Sequence, residues 1–260
     1  MYDKPISKTQ YLIGLVAIYV AVYSQYPLGI FGKPWRLIYV YGIPILAVIL
    51  LTRSIIFKKA LVNNKIAIKY GLAFYSLFIL LGMGAASLIT YLIARYDPSA
   101  FELLLRPNPV LRVSPEYAKL MILLSFLAVG PAEEYIFRGF VYGGLLDIFR
   151  NRHWILLAVF SSVLFATAHF YYVLAYDVSS LAFLVNIMFF GIAMCFPYYL
   201  SGGNLLIPIL FHGFYDAVGY LSIVEPTFPA VRLRYGLIIA GLLVLVIILI
   251  QKVRHRPKPA

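Results

Sequence analysis

The chain of 260 residues is 63% hydrophobic and 12% charged, with a formal net charge of +12. A soluble domain is about half apolar and about a quarter charged, so this composition excludes an ordinary soluble protein and indicates a polytopic membrane protein. The basic residues lie in loops and tails between apolar runs and form no basic stripe or known module. We therefore expect membrane lipid as a partner and no nucleic acid.

Eight apolar runs are long enough, or nearly so, to cross about 30 Å of hydrocarbon. The first run is long for the core of a signal peptide and has no clear small-residue cleavage site, so we expect a retained anchor. The predicted fold class is all-α, a polytopic bundle of about eight transmembrane helices in a single membrane-embedded domain, residues 1–260. The runs lie near 11–27, 37–52, 70–94, 117–148, 154–175, 178–200, 203–224 and 235–251.

The distribution of Lys and Arg predicts the orientation of the chain. With eight spans both termini lie on one side, and the loops and tails of that side carry more basic residues than those of the other. Because cytosolic loops hold the excess of Lys and Arg, both termini are predicted to be cytosolic. On that side, the basic segment 53–69 is either an interfacial amphipathic helix on anionic lipid or a plain cytosolic loop.

Six ionisable residues interrupt the apolar runs. An ionisable side chain at the centre of a membrane helix costs roughly 2.5–3.5 kcal/mol on insertion scales, so such residues are few and face a cavity or one another. We therefore expect the six to meet in one buried cavity. They lie on three runs: Glu133, Glu134 and Arg138 on the fourth, His169 on the fifth, and His212 and Asp216 on the seventh.

Helical spacing indicates which of these residues share a helix face. Glu134 and Arg138 are four residues apart, so they share a helix face and can form a pair. Glu133 is rotated by about 100° from Glu134 and is left free to point elsewhere. His212 and Asp216 are also four residues apart and can project into the same cavity.

Two other residues within the runs have structural interpretations. Pro131 precedes the acidic pair, where a proline removes a backbone hydrogen bond and predicts a kinked or broken helix beside a cavity. Cys195 is the single cysteine, so a disulfide within the chain is impossible, and we expect it to pack in the core.

A free carboxylate beside an imidazole can activate a water molecule, and a histidine with a polar neighbour can donate to an oxyanion. Hydrolysis of an amide is therefore the natural hypothesis. A zinc ion held by Glu133, His169 and His212 is an alternative. The chain has no His-Glu-x-x-His pair, so we favour no metal cofactor. Two further alternatives are a non-catalytic scaffold or immunity protein and a proton-coupled transporter.

Three motifs, in order, resemble those of the CAAX protease and bacteriocin-processing family of intramembrane endopeptidases. "EEYIFR" (133–138) matches its Glu-Glu-x-x-x-Arg motif, and "FATAH" (165–169) matches its Phe-x-x-x-His motif. "HGFYD" (212–216) matches its third motif, a His followed four residues later by Asn or Asp. The motif-bearing core is about 117–224, and the N-terminal runs carry no motif that we can assign.

The resemblance implies a glutamate-dependent endopeptidase, similar to the CAAX prenyl endopeptidase that converts Ras-type proteins. By position, Glu133 is the expected general base and His169 helps it activate water, while His212 and Asp216 stabilise the oxyanion. The remaining motif residues are expected to support the site, with Phe165 packed beneath His169. These supporting residues are Glu134, Arg138 and Phe165.

The resemblance defines the substrate and the role of Asp216 less closely. The implied substrate is a peptide or a lipidated protein. The CAAX enzymes cleave their substrates near a prenylated C-terminus, whereas many prokaryotic relatives have substrates of other kinds. The prenyl endopeptidases typically have Asn at the position of Asp216. Because an ionised carboxylate is a poor oxyanion donor, Asp216 must be protonated or must serve to orient His212.

Overall fold

The structure is a computed structural model that describes residues 6–25, 27–29, 35–52, 61–100, 113–175, 180–225 and 230–254. Within these ranges the chain forms helices joined by turns and contains no strand, which confirms the all-α fold class. The principal helices are α1 (Lys8–Ser24), α2 (Ile38–Thr52), α3 (Asn64–Ala94), α4 (Pro115–Ile148), α5 (Trp154–Ala168), α6 (Tyr171–Ala175), α7 (Leu181–Leu200), α8 (Leu206–Val224) and α9 (Ala230–Arg254).

A helix lies on each of the eight apolar runs. In the part of the chain that the structure describes, five segments are long and apolar enough to cross a membrane: α3, α4, the α5–α6 segment, α7 and α8. Helix α1 has 17 residues, and the apolar parts of α2 and α9 are shorter than a full span. The chain is therefore an integral, multi-pass membrane protein, while the number of eight spans stays a prediction.

The surface is apolar and the costly polar groups lie inside, which is the distribution that lipid demands. Leu127 on α4 and Ile38 on α2 expose 68% and 76% of their surface. By contrast, Arg138 on α4 is fully buried. Cys195 is a buried free thiol, as expected for a packing residue.

Two of the predicted runs depart from a regular α-helix. In the fifth run, α5 ends at Ala168 and a turn at 169–170 separates it from α6. The two helices together are still long enough to cross a membrane, as predicted. Of the kink or break expected at Pro131, the break is wrong, because α4 continues through the proline. A π-helical turn, Ser125–Val129, precedes the proline, and the Gly130 N–H donates to the Ser125 carbonyl across that wider turn. The wider turn accommodates the ring and the missing N–H without ending the helix.

The segment 53–69 is only partly described. Residues 53–60 lie outside the described residues, and 64–69 form the first turns of the long helix α3. For residues 64–69, both the separate interfacial helix and the plain loop are therefore wrong.

Helices α4 and α8 approach each other closely because glycine occupies the contact. A Cβ added to Gly130 would lie 2.7 Å from the backbone oxygen of Ser125 and 3.2 Å from that of Ile209 on α8. A Cβ added to Gly213 would lie 2.5 Å from the ring of Phe126 on α4. Small residues permit this approach in membranes, and here it places the start of "HGFYD" against the acidic pair.

Gly130→Ala is expected to destabilise the protein by about 1–3 kcal/mol, because its nearest neighbours are backbone atoms that cannot move aside cheaply. Gly84→Ala is the matched control, since a Cβ there meets nothing within 4 Å and gains helix propensity. Thermal unfolding in detergent compares the two variants. Equal or higher stability of Gly130→Ala relative to Gly84→Ala would contradict the packing described for α4 and α8.

Candidate active site

The three charged residues of "EEYIFR" lie at the centre of α4. Glu133 and Glu134 lie between two π-helical stretches, Ser125–Val129 and Tyr135–Tyr142, and Arg138 lies within the second. Such wide turns occur frequently at functional sites. The side chains of Glu133, Glu134 and Arg138 are all buried in the protein interior. The charges are therefore removed from lipid as well as from water, and each needs a partner.

Glu134 and Arg138 form a buried ion pair, as their spacing predicts. Arg138 Nη1 lies 2.9 Å from Glu134 Oε1. The guanidinium also lies over the ring of Phe165, 4.5 Å from its centroid, and 5.5 Å from the centroid of Phe190. The carboxylate and the two aromatic faces together stabilise a cation that burial would otherwise make very unfavourable.

His212 on α8 joins the ion pair to the second glutamate. Its Nδ1 lies 2.7 Å from Glu134 Oε1, and we assign Nδ1 as the donor because Glu134 is the carboxylate paired with Arg138. Its Nε2 therefore faces the other way, 3.5 Å from Glu133 Oε2 and 3.8 Å from Asp216 Oδ2. The Glu134 hydrogen bond thus sets the direction of the imidazole.

His169, at the C-terminal end of α5, also approaches Glu133. It ends α5 with φ −94° and ψ 3°, and its Nδ1 lies 2.8 Å from the backbone oxygen of Phe165. A carbonyl only accepts, so Nδ1 is the donor and Nε2 is turned toward Glu133 Oε2, 3.6 Å away. Both imidazoles therefore present Nε2 to the same oxygen of Glu133.

The other oxygen of Glu133 is held by a residue that sequence reasoning missed. The Tyr41 hydroxyl, on α2, donates to Glu133 Oε1 at 2.6 Å. Phe190 on α7 was missed as well, although its ring lies 4.9 Å from that of His212. The chain has 22 tyrosines and 19 phenylalanines, and no motif distinguishes these two from the rest.

Phe165 packs as expected beneath His169. The two ring centroids are 4.8 Å apart at 73°, and the Phe137 ring lies at the same distance on another side. Phe165 also reaches His212, with 6.2 Å between the centroids. One aromatic ring thus contacts both imidazoles and the guanidinium of Arg138.

The burial of the polar groups decreases across the site. The Glu134 side chain is 0% exposed and that of His212 is 5% exposed, whereas His169 and Asp216 reach 13% and 23%. The ion pair therefore lies deepest in the cluster, and His169 and Asp216 are more exposed than Glu134 and His212. The structure brings together in one cluster all seven residues predicted from the sequence: Glu133, Glu134, Arg138, Phe165, His169, His212 and Asp216.

Comparison with known proteins supports the resemblance. Residues 115–218 match the model of a protein family described as type II CAAX prenyl endopeptidase Rce1-like. Over these residues the chain is similar to the Rce1-like family. All seven residues of the cluster lie within the Rce1-like segment, whereas Tyr41 lies outside it. No curated protein and no solved structure matches the chain significantly.

Arg138→Met is expected to destabilise the protein by about 3–5 kcal/mol, because it removes the guanidinium that is paired with the buried carboxylate of Glu134. Adding Glu134→Gln to this variant should recover much of the loss, since the buried charge is then removed as well. Thermal unfolding in detergent measures both effects. Glu133→Gln serves as the control in the same background and should recover much less. Equal recovery by the two glutamine substitutions would contradict the pairing of Arg138 with Glu134.

Proposed function

We propose that the chain is a glutamate-dependent intramembrane endopeptidase that hydrolyses a peptide bond with a water molecule activated by Glu133. The observation that carries this proposal is the convergence of two imidazoles on one carboxylate oxygen. His169 Nε2 and His212 Nε2 lie 3.6 and 3.5 Å from Glu133 Oε2. The family match supports endopeptidase chemistry of the CAAX type in general.

Glu133 has the position required of a general base. Its Oε1 is occupied by the hydroxyl of Tyr41, so Oε2 is the oxygen that accepts the proton of a water molecule. Neutral His169, with its proton on Nδ1, offers an Nε2 lone pair beside the same position. A water molecule between these two groups donates one hydrogen to Glu133 Oε2 and the other to His169 Nε2. Its lone pairs are then directed toward the substrate carbonyl.

His212 is proposed to stabilise the oxyanion, with Asp216 as an orienting group. The Nδ1 proton of His212 is engaged by Glu134, so donation to an oxyanion requires a second proton, on Nε2. The carboxylates of Glu133, Glu134 and Asp216 all face this ring and balance the charge of the imidazolium. In this arrangement Asp216 lies 3.8 Å from Nε2 and stabilises the imidazolium by its charge, which leaves the Nε2 proton for the oxyanion and removes the need for a protonated aspartate at the position of the usual Asn.

The proposed substrate is a membrane-associated peptide or a lipidated protein. It enters at the exposed edge formed by His169 and Asp216, so the scissile bond meets Glu133 before the buried ion pair. We propose that both termini face the cytosol, from the excess of basic residues on their side, and that substrates are therefore presented from the cytosolic leaflet.

A zinc-dependent reaction is the second candidate. It is favoured by the same convergence of two Nε2 atoms on a carboxylate, since two His and one carboxylate form a catalytic zinc set whose other ring nitrogens are held by carbonyl or carboxylate groups. Against it, no group of three His, Cys, Asp or Glu side chains among the described residues has the arrangement of a metal site. We favour water activation by Glu133 without a metal ion. Cleavage that survives exhaustive chelation, in protein containing no stoichiometric zinc, would eliminate this candidate.

Glu133→Gln and His169→Ala are each expected to lower peptide cleavage by roughly 100- to 10,000-fold, because they remove the base or its partner. The matched control is Glu116→Gln, the same change at an exposed position on α4, which should cleave at the wild-type rate. Cleavage of a membrane-anchored peptide by protein in vesicles, with thermal unfolding of each variant, measures the effect. Wild-type cleavage by folded Glu133→Gln would contradict the proposal. Biological activity retained by that variant without cleavage would favour the scaffold or immunity alternative.

A prenylated peptide is expected to be cleaved at least about tenfold faster, as kcat/KM, than the same peptide without the lipid. The site lies among membrane-spanning helices, so a lipid anchor raises the concentration of the peptide where the site opens. The assay compares both peptides in the same vesicles, with a palmitoylated version as a control for anchoring alone. Equal rates for all three peptides would show that the substrate class lies outside lipidated peptides.

A further inference from the structure

The first two helices lie outside the Rce1-like segment and carry no recognisable motif, yet they contact the catalytic cluster on two sides. Helix α2 supplies the Tyr41 hydroxyl to Glu133. Helix α1 reaches the last turn of α5, where the Tyr19 hydroxyl donates to the Leu164 carbonyl at 2.8 Å and the Tyr23 hydroxyl donates to the Thr167 carbonyl. That turn immediately precedes His169.

Tyr41 is held in place by packing that also includes the residues after His169. Its ring belongs to a small cluster built on Val22, Val40 and Tyr171, with Tyr172 at its edge. The ring of Tyr172 stacks on that of His169 at 11°, with 6.1 Å between centroids. The hydroxyl of Tyr41 therefore has a fixed position relative to both Glu133 and His169.

The backbone around Tyr41 and the backbone before the acidic motif share one feature, a π-helical turn followed by a proline. Tyr41 lies in a π-helical turn, Ile38–Gly42, that ends two residues before Pro44. In α4, the π turn Ser125–Val129 likewise ends just before Pro131. A wide turn displaces its side chains relative to a regular helix, and such turns recur at functional sites.

We propose that Tyr41 is the positioning residue of the catalytic glutamate, supplied by the N-terminal part of the chain. This inference rests on the proposed function of Glu133. The terminal torsion of a glutamate is broad and roughly two-fold, so a carboxylate without a fixed partner samples many orientations. The 2.6 Å hydrogen bond from Tyr41 fixes Oε1 and directs Oε2 to the two Nε2 atoms.

A hydrogen bond to a charged acceptor is stronger than one between neutral groups, so its loss has a measurable consequence. Tyr41 does not touch the water or the substrate in this arrangement. Its removal is therefore expected to slow the chemical step and to leave substrate binding nearly unchanged.

The test compares Tyr41→Phe with Tyr39→Phe. Both variants lose one hydroxyl from α2, and the hydroxyl of Tyr39 bonds to Ser24 instead of the catalytic cluster. For Tyr41→Phe we expect kcat to fall roughly 10- to 100-fold with KM within about twofold of wild type. For Tyr39→Phe both constants should stay within about twofold, and thermal unfolding should be similar for the two variants.

Replacement of Tyr41 by 4-aminophenylalanine provides the rescue, because the amine retains a donor at nearly the same place. It should restore kcat to within about fivefold of wild type, whereas a residue that is merely structural gives no dependence on the donor. This variant alone also decides the question if Tyr41→Phe does not fold, since loss of activity despite a retained donor would overturn the proposal.

The outcomes of these experiments distinguish failure of the role of Tyr41 from failure of the proposed function. If the wild-type protein cleaves and Tyr41→Phe behaves like Tyr39→Phe, the role of Tyr41 is overturned and the proposed function stands. If Tyr41→Phe raises KM with kcat unchanged, Tyr41 contributes to substrate binding and the positioning role is overturned. If the wild-type protein cleaves no peptide, the proposed function fails, and with it the assignment of Tyr41.

Discussion

The buried pair of Glu134 and Arg138 is the interaction on which the rest of the site depends. A guanidinium and a carboxylate inside an apolar bundle are stable only together, so the pair fixes the rotation of α4. The same Glu134 oxygen, Oε1, also accepts from His212 Nδ1, and this hydrogen bond turns Nε2 of His212 toward Glu133. The pair of Glu134 and Arg138 therefore orients His212, which we propose to stabilise the oxyanion. Glu133 takes no part in this pair and is available to activate water.

Backbone geometry brings the partners of this pair within reach. Glycines at the α4–α8 contact let the two backbones approach, which puts His212 beside both glutamates. The end of α5 at Ala168 frees the His169 side chain to bond to the Phe165 carbonyl and to point its other nitrogen at Glu133. The N-terminal helices complete the arrangement through Tyr41, so the site is assembled from parts of the chain far apart in sequence.

Much of this organisation follows from the sequence because charge in lipid is expensive. The cost of Glu133, Glu134 and Arg138 in an apolar run predicted burial together, and the four-residue spacing predicted the pair. The same cost singled out His169, His212 and Asp216, and the motifs added Phe165. Tyr41 and Phe190 were not predictable, since aromatic residues suit any membrane interior and their identity as partners depends on tertiary contact. The π turns and the end of α5 depend on the same contacts, and helix periodicity alone does not report them.

The central claim is that Glu133 activates water and does not itself attack the substrate. A single turnover of purified protein on a membrane-anchored peptide, in water labelled with heavy oxygen, tests it most directly. The account predicts one labelled oxygen in the new carboxylate of the product and none in the Glu133 side chain, as read by mass spectrometry of both. Label in Glu133 after that turnover would mean that its carboxylate had formed and lost a covalent acyl intermediate, and would contradict the account.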